Sequence, residues 1–71
     1  MNISETRTKE AMEIILFEAK YYFKYYRIEN NHIGIVWDHD HWWVQFYDEN
    51  DERERTFDVV DTNLGIGFEE V

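Results

Sequence analysis

Seventy-one residues without a cysteine leave room for one domain and exclude a disulfide scaffold. Hydrophobic residues at 44% and aromatics at 18% exclude a disordered chain. Sixteen acids against seven bases, a formal net charge of −9, exclude an electrostatic hold on nucleic acid or anionic lipid.

A chain this short buries roughly 60% of its unfolded surface, so its stability is marginal. There is no proline and there are three glycines, which implies regular elements joined by short turns. No apolar run reaches the roughly 20 residues of a membrane helix, and the N-terminus lacks the basic start of a signal peptide. A cytoplasmic location with no membrane contact is the expectation. The charge is unevenly spread. Residues 1–29 carry five acids and five bases, whereas residues 30–71 carry eleven acids against Arg53 and Arg55. The second half should therefore repel nucleic acid and attract basic surfaces.

The first predicted element is a long helix from about Glu5 to Arg27, capped by Ser4 or Thr6. Met12, Ile15, Leu16, Ala19, Tyr22, Phe23 and Tyr26 recur at three- and four-residue spacing and form one apolar stripe. Ile14, Phe17, Tyr21, Tyr25 and Ile28 form a second stripe, roughly opposite at 100° per residue. A surface helix needs only one such stripe. The second is read as an oligomer interface, with Ile14, Phe17, Tyr21 and Tyr25 as its residues and a homodimer as the expected assembly. The bland alternative is that the C-terminal tail or a bent sheet covers it.

Asn30–Asn31 is a turn signal. Three strands are predicted beyond it, at about 32–37, 41–47 and 53–60, rich in β-branched and aromatic residues. A turn centred on His39–Asp40 pairs Trp37 with Trp42, Ile35 with Val44 and Ile33 with Phe46, which collects the apolar residues on one face. His-Asp is not a favoured two-residue turn, so Asp38–His41 as a longer loop is the alternative. Asp48–Glu52 holds the second turn, with its bend at Asn50–Asp51. Asp61–Thr62–Asn63 ends the third strand, and Leu64–Val71 is a short fourth strand or a docked tail. The fold class is α+β: one long N-terminal helix on a three- or four-stranded antiparallel meander.

The outer sheet face then carries Val36, Trp43 and Tyr47 beside Asp38, His41 and Gln45. Tryptophan and tyrosine are enriched at binding hot spots. With Asp38, Asp40, Asp48, Glu49, Asp51, Glu52, Glu54, Asp58 and Asp61 nearby, Trp43 and Tyr47 suit a protein partner with a basic surface. The expected function is that of a small acidic binding protein, an inhibitor or DNA mimic whose carboxylates stand where phosphates would. Phage-encoded anti-defence and immunity-type proteins are similar in size and charge, an analogy that no motif accompanies. A homo-oligomeric scaffold subunit is the alternative. Ordinary cross-strand packing and plain solubility are the bland readings of the same residues.

Asp38-His39-Asp40-His41 has the donor types of a transition-metal site, with His32 farther along the strand. The same residues are common in solvated turns, so no metal is assigned. Asp48–Glu52 lacks the central glycine of a calcium loop. There is no phosphate-binding glycine loop, no thiol and no serine beyond Ser4. A sheet expected to be convex offers little room for a pocket. No catalytic residue, enzyme activity or cofactor is assigned.

Overall fold

The computed structural model describes residues 2–24 and 32–71. One helix, α1 (Lys9–Phe23), crosses one face of a four-stranded antiparallel sheet whose strands follow chain order: β1 (His32–Asp38), β2 (His41–Tyr47), β3 (Arg53–Thr62) and β4 (Gly65–Glu70). The sheet is an open meander. No described helix is long and apolar enough to cross a membrane.

The helix starts four residues later than the sequence predicts. Its N-cap is Thr8, whose hydroxyl accepts from the Ala11 amide. Ser4 and Thr6 are not caps of α1. Ile3–Glu5 forms a single 3-10 turn, and both residues are held by the sheet instead. The Ser4 amide donates to Asp61 at 3.2 Å, its hydroxyl donates to the same carboxylate, and the Trp42 indole N–H donates to the Thr6 carbonyl at 2.7 Å. The long-range bonds of Ser4 outweigh the local cap it would otherwise make, and the Thr6 hydroxyl donates to the Asn2 carbonyl at 2.7 Å rather than capping α1. The predicted C-terminal end of the helix, with Tyr25, Tyr26, Arg27 and Ile28, and the Asn30–Asn31 turn lie outside the described residues.

The buried stripe of α1 is Ala11, Ile15, Ala19 and Phe23, a strict four-residue repeat. Ala11 was missing from the predicted stripe, whereas Met12 and Tyr22 sit at its margins, 36% and 38% exposed. Two alanines let the helix backbone come close to the sheet at its first and third turns. At its end Phe23 fills the wider gap, with ring centroids 4.6 Å from Phe46, 4.6 Å from Phe57 and 5.2 Å from Phe68. Val44, Val59 and Trp42 complete the core from the sheet side.

The first hairpin has the predicted register, with Ile33 opposite Phe46, Ile35 opposite Val44 and Trp37 opposite Trp42. Its loop is tight rather than long. The Asp40 amide donates to the Asp38 carbonyl at 2.8 Å across His39, whose φ of 59° is the left-handed conformation such a γ-type turn requires. At the second turn the Asp48 carboxylate accepts from the amides of Asn50 and Glu52, an Asx turn that explains the acid there.

β3 departs from expectation in a bulge and in its length, while the tail takes the strand form that is one of its two predicted states. Phe46 faces Arg55 but Tyr47 faces Arg53, so Glu54 is an extra residue, a β-bulge. The bulge brings Arg53 opposite the outward Tyr47, while Arg55 keeps the inner parity of Phe57, its guanidinium 5.1 Å from the Phe57 ring and bonded to Glu70 at 2.7 and 2.8 Å. That bidentate pair closes one end of the core. The third strand continues through Asp61 and Thr62, and the tail is a true fourth strand paired beside β3, not a flap over the helix. Leu64 sits fully exposed at the β3–β4 turn and does not dock.

Phe23→Ala is expected to cost about 3–5 kcal/mol, a large part of the stability of a domain this size. Urea unfolding followed by circular dichroism should show the cooperative transition collapse. Phe17→Ala, on the opposite side of the helix, should shift the midpoint by less than about 1 kcal/mol equivalent.

Candidate functional site

The sheet face turned away from α1 follows from the strict alternation of β2. Trp42, Val44 and Phe46 are buried against the helix, so His41, Trp43, Gln45 and Tyr47 point outward and are partly exposed. Cross-strand register adds Val36 and Asp38 from β1, Thr56 and Asp58 from β3, and Glu69 from β4. One row runs Val36, Trp43, Asp58, Glu69 across all four strands. An open groove of about 530 Å³ is lined by Val36, Trp43, Gln45, Thr56, Arg53 and Glu54 among others.

His41 organises one end of this face. Its Nδ1 lies 3.0 Å from Asp40 Oδ1 and its Nε2 lies 3.0 Å from Asp58 Oδ1. A neutral imidazole has one donor and cannot satisfy carboxylates at both nitrogens, whereas imidazolium offers two. The bond to Asp40, followed by the field of Asp58 and the other neighbouring acids, raises the His41 pKa above its ordinary 6.5. The same bond lowers the pKa of Asp40. The Asp58 contact is close but not aligned as a hydrogen bond, so it acts as an ion pair rather than a directed bond. The His41 ring also lies 4.5 Å from the Trp43 indole. The Trp43 indole N–H is buried and has no acceptor among the described residues.

Two structural costs gather here. Asp58 stands directly opposite Glu69, and like charges in cross-strand register destabilise a sheet. A buried indole N–H without an acceptor is also unfavourable.

The residues singled out from the sequence fall into two groups. Asp38, Asp40, Asp58 and Trp43 gather around His41. Asp48, Glu49, Asp51 and Glu52 occupy the β2–β3 turn at the other end of β2, about 20 Å away for seven extended residues. Tyr47 belongs to that second end, where its hydroxyl donates to Gln45 and its ring lies over Gly34, 3.2 Å from where a Cβ would stand. Glu54 is displaced into the bulge between them. Asp61 faces the inner side and is occupied by Ser4, so it leaves the predicted acidic set. Sequence reading missed Glu69. Its signal was the alternation of Ile66 and Phe68, which turns Glu69 outward once the segment is a strand beside β3.

Among the described residues no group of three His, Cys, Asp or Glu side chains is arranged to hold a metal ion. His39 points into solvent, 91% exposed, and does not join His41. On the helix, Phe17 is 71%, Tyr21 63% and Ile14 42% exposed. Tyr25 lies outside the described residues.

Set against family models, curated proteins and solved structures, the chain matches none of them.

Because the His41 pKa is raised on folding, its contribution to stability is full below the unfolded value of about 6.5 and is lost as pH rises through the folded value. The difference in melting temperature between the native protein and His41→Gln should therefore shrink by a few degrees between about pH 6 and pH 9. Proton NMR of the His41 ring should give a midpoint above 6.5.

Proposed function

We propose that this chain is a small acidic binding protein that presents its outer sheet face to a basic surface on another protein. The observation that carries this reading is the Val36–Trp43–Asp58–Glu69 row. It places a partly exposed tryptophan beside two directly opposed carboxylates, on the face that α1 does not cover. Both costs of the row are of kinds that a basic partner relieves. An arginine or lysine between Asp58 and Glu69 turns repulsion into two charge-assisted bonds. An acceptor brought to the Trp43 indole satisfies its N–H. Unfavourable local arrangements in otherwise consistent folds gather at functional sites.

The partner chemistry follows from the same row. Trp43 favours a guanidinium, which stacks on indole while binding carboxylates side-on. The carboxylates at the β2–β3 turn, about 20 Å away, extend the negative surface to a second contact. A protein whose basic surface ordinarily holds a nucleic-acid backbone fits this spacing of charge, which makes competition with DNA the informative comparison. The groove beside Trp43 is open and lined by both signs of charge, which suits a protein surface more than an enclosed small molecule.

The reading is tested by presenting the immobilised protein to a cell lysate and following any basic protein it retains. Retention should disappear above about 0.5 M salt, where the Debye length has fallen to about 4 Å. It should be lost with Trp43→Ala and weakened with Glu69→Gln, yet persist with Glu10→Gln on the helix. Duplex DNA should compete. Retention that ignores salt, or survives Trp43→Ala, overturns the proposal. Glu69→Gln should at the same time stabilise the free protein by up to about 0.5 kcal/mol, since it removes the charge opposite Asp58.

A further inference from the structure

The face of α1 turned away from the sheet is built with a symmetry that the core does not need. Phe17 lies opposite the buried stripe, which is centred between Ile15 and Ala19. Ile14 stands three residues before Phe17 and Lys20 three after. Glu13 stands four before and Tyr21 four after. At 100° per residue, Glu13 and Lys20 fall on one flank of Phe17, and Ile14 and Tyr21 fall on the other. The face thus has a charged flank and an apolar flank. On the charged flank Glu13 precedes Lys20, with Lys9 at its N-terminal edge, and Glu10 and Lys24, about 20° to either side of Phe17, repeat the order of acid before base near the centre line.

We propose that this face is the contact between two copies of the chain, paired antiparallel about a twofold axis at Phe17. Such an axis, perpendicular to the helices, lays each flank against the same flank of the partner and reverses its direction. Glu13 then meets Lys20 of the second copy, twice per dimer, and Ile14 meets Tyr21 across the apolar flank. Phe17 stacks on its own mate, closing over the groove of about 470 Å³ that it lines with Ile14, Glu10, Glu13 and Glu18. A parallel pair, whose twofold axis runs along the helices, would lay the charged flank of each copy against the apolar flank of the other and leave Glu13 and Lys20 without partners across the contact. A uniformly basic or acidic foreign partner meets the wrong sign on half of the flank. A second copy is the partner whose charges reverse in step. Residues 1–29 carry no net charge and the net −9 lies beyond them, so two copies meet less repulsion helix to helix than sheet to sheet.

One 15-residue helix, about 22 Å long, makes a contact at the small end of specific interfaces. The dimer should therefore be weak, with a dissociation constant of ~10–100 µM.

Sedimentation equilibrium across about 1–500 µM is the primary measurement. Phe17→Glu should abolish the dimer while the circular dichroism spectrum stays native. Glu13→Lys and Lys20→Glu should each weaken it about tenfold, since each replaces two attractions by two repulsions. The double variant E13K/K20E should recover to within about twofold. The absence of native cysteine makes disulfide mapping unambiguous. An equimolar mixture of Glu13→Cys and Lys20→Cys chains should oxidise mainly to the mixed 13–20 species. A chain that stays monomeric throughout overturns the proposal and leaves the sheet-face reading untouched. A dimer that resists Phe17→Glu, or that gives mainly 13–13 and 20–20 disulfides, overturns it as well.

Discussion

Phe23 is where the helix meets three strands at once. Its ring touches Phe46 of β2, Phe57 of β3 and Phe68 of β4, and Tyr22 lies edge-on to it at 4.8 Å. The other fully buried residues of the helix are two alanines and one isoleucine. In a chain without disulfides, this aromatic cluster fixes which way up the helix lies. Everything on the other side of the sheet inherits its position from that choice. The alternation of β2 that buries Trp42, Val44 and Phe46 is the same alternation that turns Trp43 outward.

The two sheet faces are held together by different physics. The inner face is apolar and closed at its margins by directed polar contacts: Ser4 with Asp61, Trp42 with the Thr6 carbonyl, Arg55 with Glu70. The first two satisfy buried groups that packing would otherwise strand, and the third is an exposed pair at the margin. The outer face keeps its polar groups under tension. Asp58 opposes Glu69, and acids on both sides of the His41 ring favour its protonated form. Such an arrangement contributes little to folding and much to the field outside the molecule.

The sequence disclosed the parts of the fold that alternation marks on both partners. The first hairpin was readable to the residue because Ile33, Ile35 and Trp37 meet Val44, Phe46 and Trp42 only in one register. The bulge at Glu54 was not, because Arg53, Glu54 and Arg55 carry no apolar marker to reveal a change of parity. Ser4 and Thr6 have the chemistry of caps, but an acid 57 residues away takes the first and the Asn2 carbonyl accepts from the second. Ala11 is silent in any stripe because alanine is at home on either side of a helix. Glu69 was hidden for a related reason: Gly65–Glu70 is too short to declare itself a strand until β3 lies beside it.

The charge division between helix and sheet also has a kinetic side. The centre of negative charge does not coincide with the centre of mass but lies toward the strands. In the field of a positively charged body, such a molecule feels a torque as well as an attraction. It rotates while it diffuses and arrives strands first, so fewer encounters are spent on unproductive orientations. The order of elements along the chain, a neutral helix and then an acidic meander, thereby acts as a rudder for association.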